Sequence, residues 1–219
     1  MTVLLLSITI AVYLASRRLY KNVRVAVLTP VFTSTAAMIV ILLVFGISLD
    51  TYEPVIDLVT AVLGPATVAL AVPVYKHRKI ILRYSRAFLW SLTIGSLTAA
   101  LISLSAANLI YLSSQLITSL TVKSATVPIA LELAELQGGD LTMTAVFVMI
   151  TGLIGAVFGP GLLTIAGVNS PAARGMAVGT IAHGIGTAHI INEGELQGAS
   201  AAAAMACAGI FLSLITTVL

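Results

Sequence analysis

Charge is what this sequence has least of. Only 9% of its 219 residues are Asp, Glu, Lys or Arg, against about 25% in soluble domains, and so few polar groups cannot clothe a water-facing surface. Cysteine occurs once, at Cys207, which excludes an intramolecular disulfide and any cysteine-based metal site. Aromatic residues are 6% of the chain, so the net charge of +3 lacks the interleaved stacking platform of a nucleic-acid binder, and no nucleic-acid partner is expected. Catalytic signatures are missing too. There is no His-Glu-x-x-His for zinc, no Gly-x-Ser-x-Gly elbow, and no Gly-Lys-Ser/Thr after the glycine-rich stretches. The chain is therefore not expected to be an enzyme, and neither a cofactor nor a metal is expected.

What fills the sequence is apolar: 59% hydrophobic residues and a mean hydropathy of +1.10. A helix crossing a hydrocarbon core of about 30 Å needs about 20 apolar residues. Stretches 25–48, 54–75, 87–107, 141–168 and 198–219 each reach that length. Met1–Ser16 is a sixth, shorter candidate; its positive charges follow the apolar run, which argues for a retained helix and against a signal peptide. All but two of the basic residues fall in two clusters, Arg17-Arg18-Lys21-Arg24 and Lys76-Arg78-Lys79-Arg83-Arg86. Such clusters mark cytoplasmic loops, placing the N-terminus, 49–57 and the region of Asn108 outside. The expected fold class is an all-α polytopic membrane protein of about six to eight transmembrane segments with broken or re-entrant helices. It is read as a single integral membrane domain over 1–219, multi-pass in the cell (inner or plasma) membrane.

Residues 108–137 are too long for one span and too short for two. Lys123 in their middle and Pro128 five residues on oppose a continuous lipid-exposed helix on electrostatic and steric grounds. Two half-length helices meeting near Thr121-Val122-Lys123-Ser124 and returning to the outside are one reading, and a single broken span is the other. The first leaves Glu132, Glu135 and Asp140 outside, sends 141–166 inward and puts Arg174 in the cytoplasm. Residues 175–192 then read as a glycine-rich span, with His189 and Glu193 near its outer end.

Helix breaks inside a membrane survive only where the freed backbone lines a cavity or is buried in protein. Three are expected: Leu63-Gly64-Pro65-Ala66-Thr67, Lys123-Ser124-Ala125-Thr126-Val127-Pro128, and His183-Gly184-Ile185-Gly186-Thr187-Ala188-His189. Half-helix N-termini present free N–H groups and partial positive charge, and Lys123 adds a full charge, so a small carboxylate is the expected ligand. Candidate substrate-binding residues are Gly64, Pro65, Thr67, Lys123, Ser124, Thr126, His183, Gly184, Gly186 and Thr187. Each has a plainer reading. Pro65 can be a packing kink, the hydroxyls can bond back to their own helices, Lys123 can snorkel to headgroups, and His183 can be a satisfied buried imidazole.

Gly155-x3-Gly159, Gly175-x3-Gly179 and the alanine run 199–208 read as smooth faces for close helix contact. They suit sliding or dimerisation, so a homo-oligomer, simplest as a dimer, is expected. Shifting the chain by 59 residues lays Ala66-Thr67-Val68 on Ala125-Thr126-Val127 and Phe88 on Phe147; one further step brings Gly95 onto Gly155. That pattern suggests an inverted-topology repeat, with halves at about 25–120 and 121–219.

The motifs Leu63-Gly64-Pro65-Ala66-Thr67-Val68-Ala69-Leu70-Ala71-Val72-Pro73-Val74-Tyr75-Lys76, Lys123-Ser124-Ala125-Thr126-Val127-Pro128-Ile129-Ala130, Thr151-Gly152-Leu153-Ile154-Gly155-Ala156-Val157-Phe158-Gly159-Pro160 and the stretch from Arg174 to Ala188 resemble the LrgB/CidB membrane-protein family. Val122 stands where that family usually carries a proline. The resemblance implies one of two functions. Bacterial members are named antiholin-like or holin-like regulators of murein hydrolases and autolysis, often beside a small LrgA-type membrane partner. Other members export or exchange glycolate and glycerate, or move pyruvate. The expected function is a secondary transporter of small monocarboxylates by alternating access, with the antiholin/holin-like regulator as the alternative.

Overall fold

The computed structural model describes residues 1–23, 28–69 and 71–218, with the side chains of 63, 64, 66, 67, 73 and 216–218 outside the description. Every regular element among the described residues is a helix, and the chain forms two compact units, Met1–Ala69 and Leu70–Leu219.

The first unit holds α1 (Thr2–Val23), α2 (Pro30–Val44) and α3 (Leu49–Ala69). The opening apolar segment is longer than Met1–Ser16, because the helix carries on past Arg17, Arg18 and Lys21. Tyr52 ties α3 to α1 through the Thr9 hydroxyl at 2.9 Å. The break expected at Pro65 is absent, since α3 runs through both Pro54 and Pro65. A proline deletes one backbone donor and crowds the turn before it, yet a helix persists when its neighbouring turns remain bonded.

The second unit comprises α4 (Ala71–Lys76), α5 (Arg78–Arg83), α6 (Ser85–Leu109), α7 (Ser114–Thr121), α8 (Val127–Leu136), α9 (Leu141–Ile165), α10 (Pro171–Ile190) and α11 (Glu195–Val218). The second basic cluster therefore lies on two short helices and the first turn of α6. Four helices among the described residues are long and apolar enough to cross a membrane, in α1, α6, α9 and α11, and α2 is a shorter apolar helix. Of these α11 is the most enclosed, with 56% of its apolar window buried against 22% for α6 and α9. Its alanines Ala199, Ala201, Ala202, Ala204 and Ala208 let neighbouring backbones close on it.

Two helical hairpins fill the space around α9 and α11. The first is α7 and α8, joined by the turn at 122–125. Ser113 caps α7, and Pro128 sits in the first turn of α8, where its missing N–H costs nothing. The second is α10, which reverses at His183 (φ 38°, ψ −133°). Arg174 and Glu193 meet at 2.7 Å, whereas 19 residues of straight helix would hold them about 28 Å apart. Ile190 accordingly packs in one cluster with Val178 and Ala182. This corrects the reading of 175–192 as a glycine-rich span ending outside: Glu193 lies at the same end as Arg174.

The hairpins approach along the same two helices from opposite ends. On α9, Val148 packs with Val122 and Ala125 of the first hairpin. Gly152, Gly155 and Gly159 lie in turn against His183, Ala182 and Val178 of the second. On α11, Gln197, Ser200 and Ala201 meet Gly175 and Gly179, Met205 meets Gly184, and Gly209 meets Ile129. A long helix followed by a hairpin thus occurs twice, over 85–136 and 141–190. The 59-residue separation carries Ser124 at one tip onto His183 at the other.

Candidate functional site

The two hairpin tips converge on one turn of α9. Val148 is the meeting point: its side chain is buried among Val122, Ala125 and Ala130, and its carbonyl accepts a hydrogen bond from His183 Nε2 at 2.9 Å. A carbonyl only accepts, so Nε2 carries the proton. The ring fits there because Gly152 has no side chain; a Cβ would lie 2.6 Å from Cε1 of His183. His183 holds a positive φ that β-carbon sterics disfavour, and Thr187 Oγ1 donates to its carbonyl at 2.7 Å. Glycine beside it and buried Gly186, close to Val178 and Ala182, let the arms pack tightly.

At the other tip, Lys123 Nζ donates to Ser103 Oγ of α6 at 2.5 Å, and Ser103 passes its own proton to Ala99 O at 2.6 Å. No carboxylate pairs with Lys123 among the described residues, whose ion pairs are Lys76 and His77 with Glu195 and Arg174 with Glu193. Beside it the Ser124 hydroxyl is buried without a partner. Thr126 begins α8 without a side-chain cap bond. An uncompensated ammonium, a free hydroxyl and the start of a helix therefore share one corner, a combination that favours a small anion.

The base of the second hairpin is closed by Arg174. Its Nε and Nη2 bind both oxygens of Glu193 at 2.7 Å, and its remaining donors reach Pro160 O, Thr164 Oγ1 and Val168 O. Val168 O is presented by the turn ending α9, where Gly167 takes φ 73° and Val168 N–H bonds Leu163 O at 2.8 Å. This helix-terminating geometry suits glycine.

Of the residues expected to bind substrate, the structure gathers Lys123, Ser124 and Thr126 at one tip and His183, Gly184, Gly186 and Thr187 at the other. Pro65 is exposed on α3 in the first unit, and the side chains of Gly64 and Thr67 lie outside the described residues. Thr187 spends its proton on its own helix, the plainer of its two readings. Nothing in the residue pattern singled out Ser96, Ser103 or Thr180. Ser103 holds the lysine, Gly95 touches the Thr180 methyl, and Ser96 is buried without a hydrogen-bond partner.

The LrgB-like family profile matches residues 9–219, nearly the whole chain. The chain belongs to the LrgB-like family. Within it, Bacillus subtilis YwbG is 32% identical over 94% of this chain and 91% of its own length. Bacillus subtilis YxaC is 34% identical over 89% of this chain and 84% of its own. The holin-like protein CidB of Staphylococcus epidermidis is 29% identical over 99% of this chain and 95% of its own. No solved structure gives a significant match. The chain is thus an LrgB-like membrane protein, and its sequence similarity to these relatives spans both hairpins.

Proposed function

We propose that this LrgB-like protein is a secondary carrier, not an enzyme, moving a small 2-hydroxy- or 2-oxo-monocarboxylate such as glycolate, glycerate or pyruvate by alternating access. One observation supports it above the rest: Lys123 at the first hairpin's tip is held by Ser103, next to the free Ser124 hydroxyl, and no carboxylate among the described residues neutralises it. Intramembrane cations are costly and mark functional sites, and broken helices meeting at mid-depth are the usual cradle for a carried ion.

Orientation follows from the bases. Lys76 and Glu195 pair at 3.9 Å, so the second basic cluster, the base of α10 and the start of α11 share one end of the second unit. Placing that end in the cytoplasm of a plasma-membrane protein makes the first hairpin re-entrant from outside and the second from inside. In proteoliposomes the wild type takes up labelled glycolate or pyruvate saturably, and Lys123→Ala abolishes uptake. Equal uptake by both removes Lys123 from the site.

The printed name of the CidB relatives, holin-like, favours a second reading, a regulator of murein hydrolases and autolysis acting with a small LrgA-type partner. That function predicts dye leakage from vesicles or altered lysis without saturable uptake. Co-purification of an LrgA-type protein, and the homo-oligomer or dimer expected from the small-residue faces, are checked by affinity capture and light scattering in detergent.

A further inference from the structure

Most of the buried helical hydroxyls in the second unit do one thing: they donate to the carbonyl four residues back. Ser103 bonds Ala99 O, Thr144 bonds Asp140 O, Thr180 bonds Met176 O and Thr187 bonds His183 O. Ser96 does not, although its helix offers the Leu92 carbonyl in the same way. It is 3% exposed, and its oxygen has no hydrogen-bond partner. A buried hydroxyl left unpaired costs about 1–3 kcal/mol. A rotation onto its own helix would remove that cost, and a partner from outside the chain is the other way to meet it.

The helix shows what that is. Leu92, Ser96, Ser103 and Ala107 are the buried residues along one face of α6, so Ser96 looks the same way as the serine that holds Lys123. Gly95 beside it touches Thr180, one turn short of the His183 tip. Ser96 therefore stands on the second hairpin's side of α6 and Ser103 on the first hairpin's side. Seven residues of helix separate them by about 10 Å. A two- or three-carbon acid with a hydrogen bond at each end spans a distance of that order.

We infer that Ser96 is a specificity residue of this site, hydrogen-bonding the hydroxyl or keto oxygen on C2 of the substrate while Lys123 and Ser124 hold its carboxylate. The inference rests on the carrier reading for its substrate class and adds what that reading leaves open: how a 2-substituted acid is told from a plain one. A pocket that hydrogen-bonds a ligand oxygen rejects the analogue lacking it, because its own polar group is then left unpaired.

The test uses the full chain in proteoliposomes, with labelled glycolate uptake competed by unlabelled glycolate or acetate. Wild type prefers glycolate, and Ser96→Ala weakens glycolate about tenfold while leaving acetate unchanged. A selectivity that stays the same, or both acids weakening in parallel, overturns the inference. A second measurement needs no transport: Ser96→Cys in a Cys207→Ser background is alkylated by a small maleimide, and glycolate slows the reaction where acetate does not. Equal labelling with and without glycolate overturns it as well. Wild type that moves no glycolate, yet whose Ser96→Cys form is protected by it, removes the carrier reading and keeps the binding site.

Discussion

The two hairpins are built alike and held differently. The second is closed by charge: Arg174 ties its arms together through Glu193 and spends its other donors on α9 and the turn that follows. Its tip is fixed by a strained His183 whose ring bonds Val148 O. The first is held by neutral groups. Ser119 accepts from Asp140 N–H at 2.9 Å and offers its proton to Asp140 O and Gln115 O, and Asp140 caps α9 through Met143 N–H. Its tip carries Lys123, which pairs with no carboxylate among the described residues. One hairpin thus uses its cation to build a rigid wall, and the other keeps its cation available. A basic residue is tied into the fold where a carboxylate lies within reach and is left without an ion-pair partner where none does.

That contrast is sharpest at the two cations. Arg174→Ala leaves Glu193 and three α9-side acceptors without their donor, and each charge-assisted hydrogen bond lost costs about 1.5–3 kcal/mol. The expected result is a large fall in the thermal midpoint in detergent, followed by circular dichroism. Arg174→Lys recovers only part of it, because an ammonium cannot form the two-pronged pairing. A wild-type midpoint for Arg174→Ala would show that the second hairpin stays closed without its ion pair. Next in size is Gly179→Val, whose side chain would press on the Ala201 backbone; overpacking of this kind costs about 1–3 kcal/mol. Full stability there would mean that α10 and α11 are able to separate.

Ser119→Ala loses the bond that anchors the first hairpin to the start of α9, a loss of about 1 kcal/mol. It should move the same midpoint only modestly, less than either change in the second hairpin. The smallest stability effect is expected from Lys123→Met, which removes an unpaired charge and keeps the length of the chain. It should be neutral or slightly stabilising while uptake is lost. A strongly destabilised Lys123→Met would instead make this lysine as structural as Arg174.

Legibility in the sequence followed how local each cause was. The turn at 122–125 was readable because a lysine and a proline five positions apart defeat a membrane helix on their own. The close faces at Gly155, Gly175 and Gly179 were readable because small residues at four-residue spacing share one side of a helix. Pro65 misled, since a proline permits a break without requiring one. The reversal at His183 was harder. A glycine-rich run announces a weak point, but the angle there depends on Arg174 finding Glu193 and on Gly152 making room for the ring. Ser96 and Ser103 could not be singled out, because serine in an apolar helix ordinarily bonds its own backbone, and only the facing hairpin shows that one of them does not.

Composition and charge pattern alone determined that this is an all-helical membrane protein with interrupted segments, because the cost of placing ions and open backbone in hydrocarbon acts on each stretch of chain separately. Tertiary structure decided which interruptions meet, which cation is neutralised and which hydroxyl is left free. Those outcomes depend on residues 19 to 35 positions apart coming within hydrogen-bond distance, and no local preference encodes that.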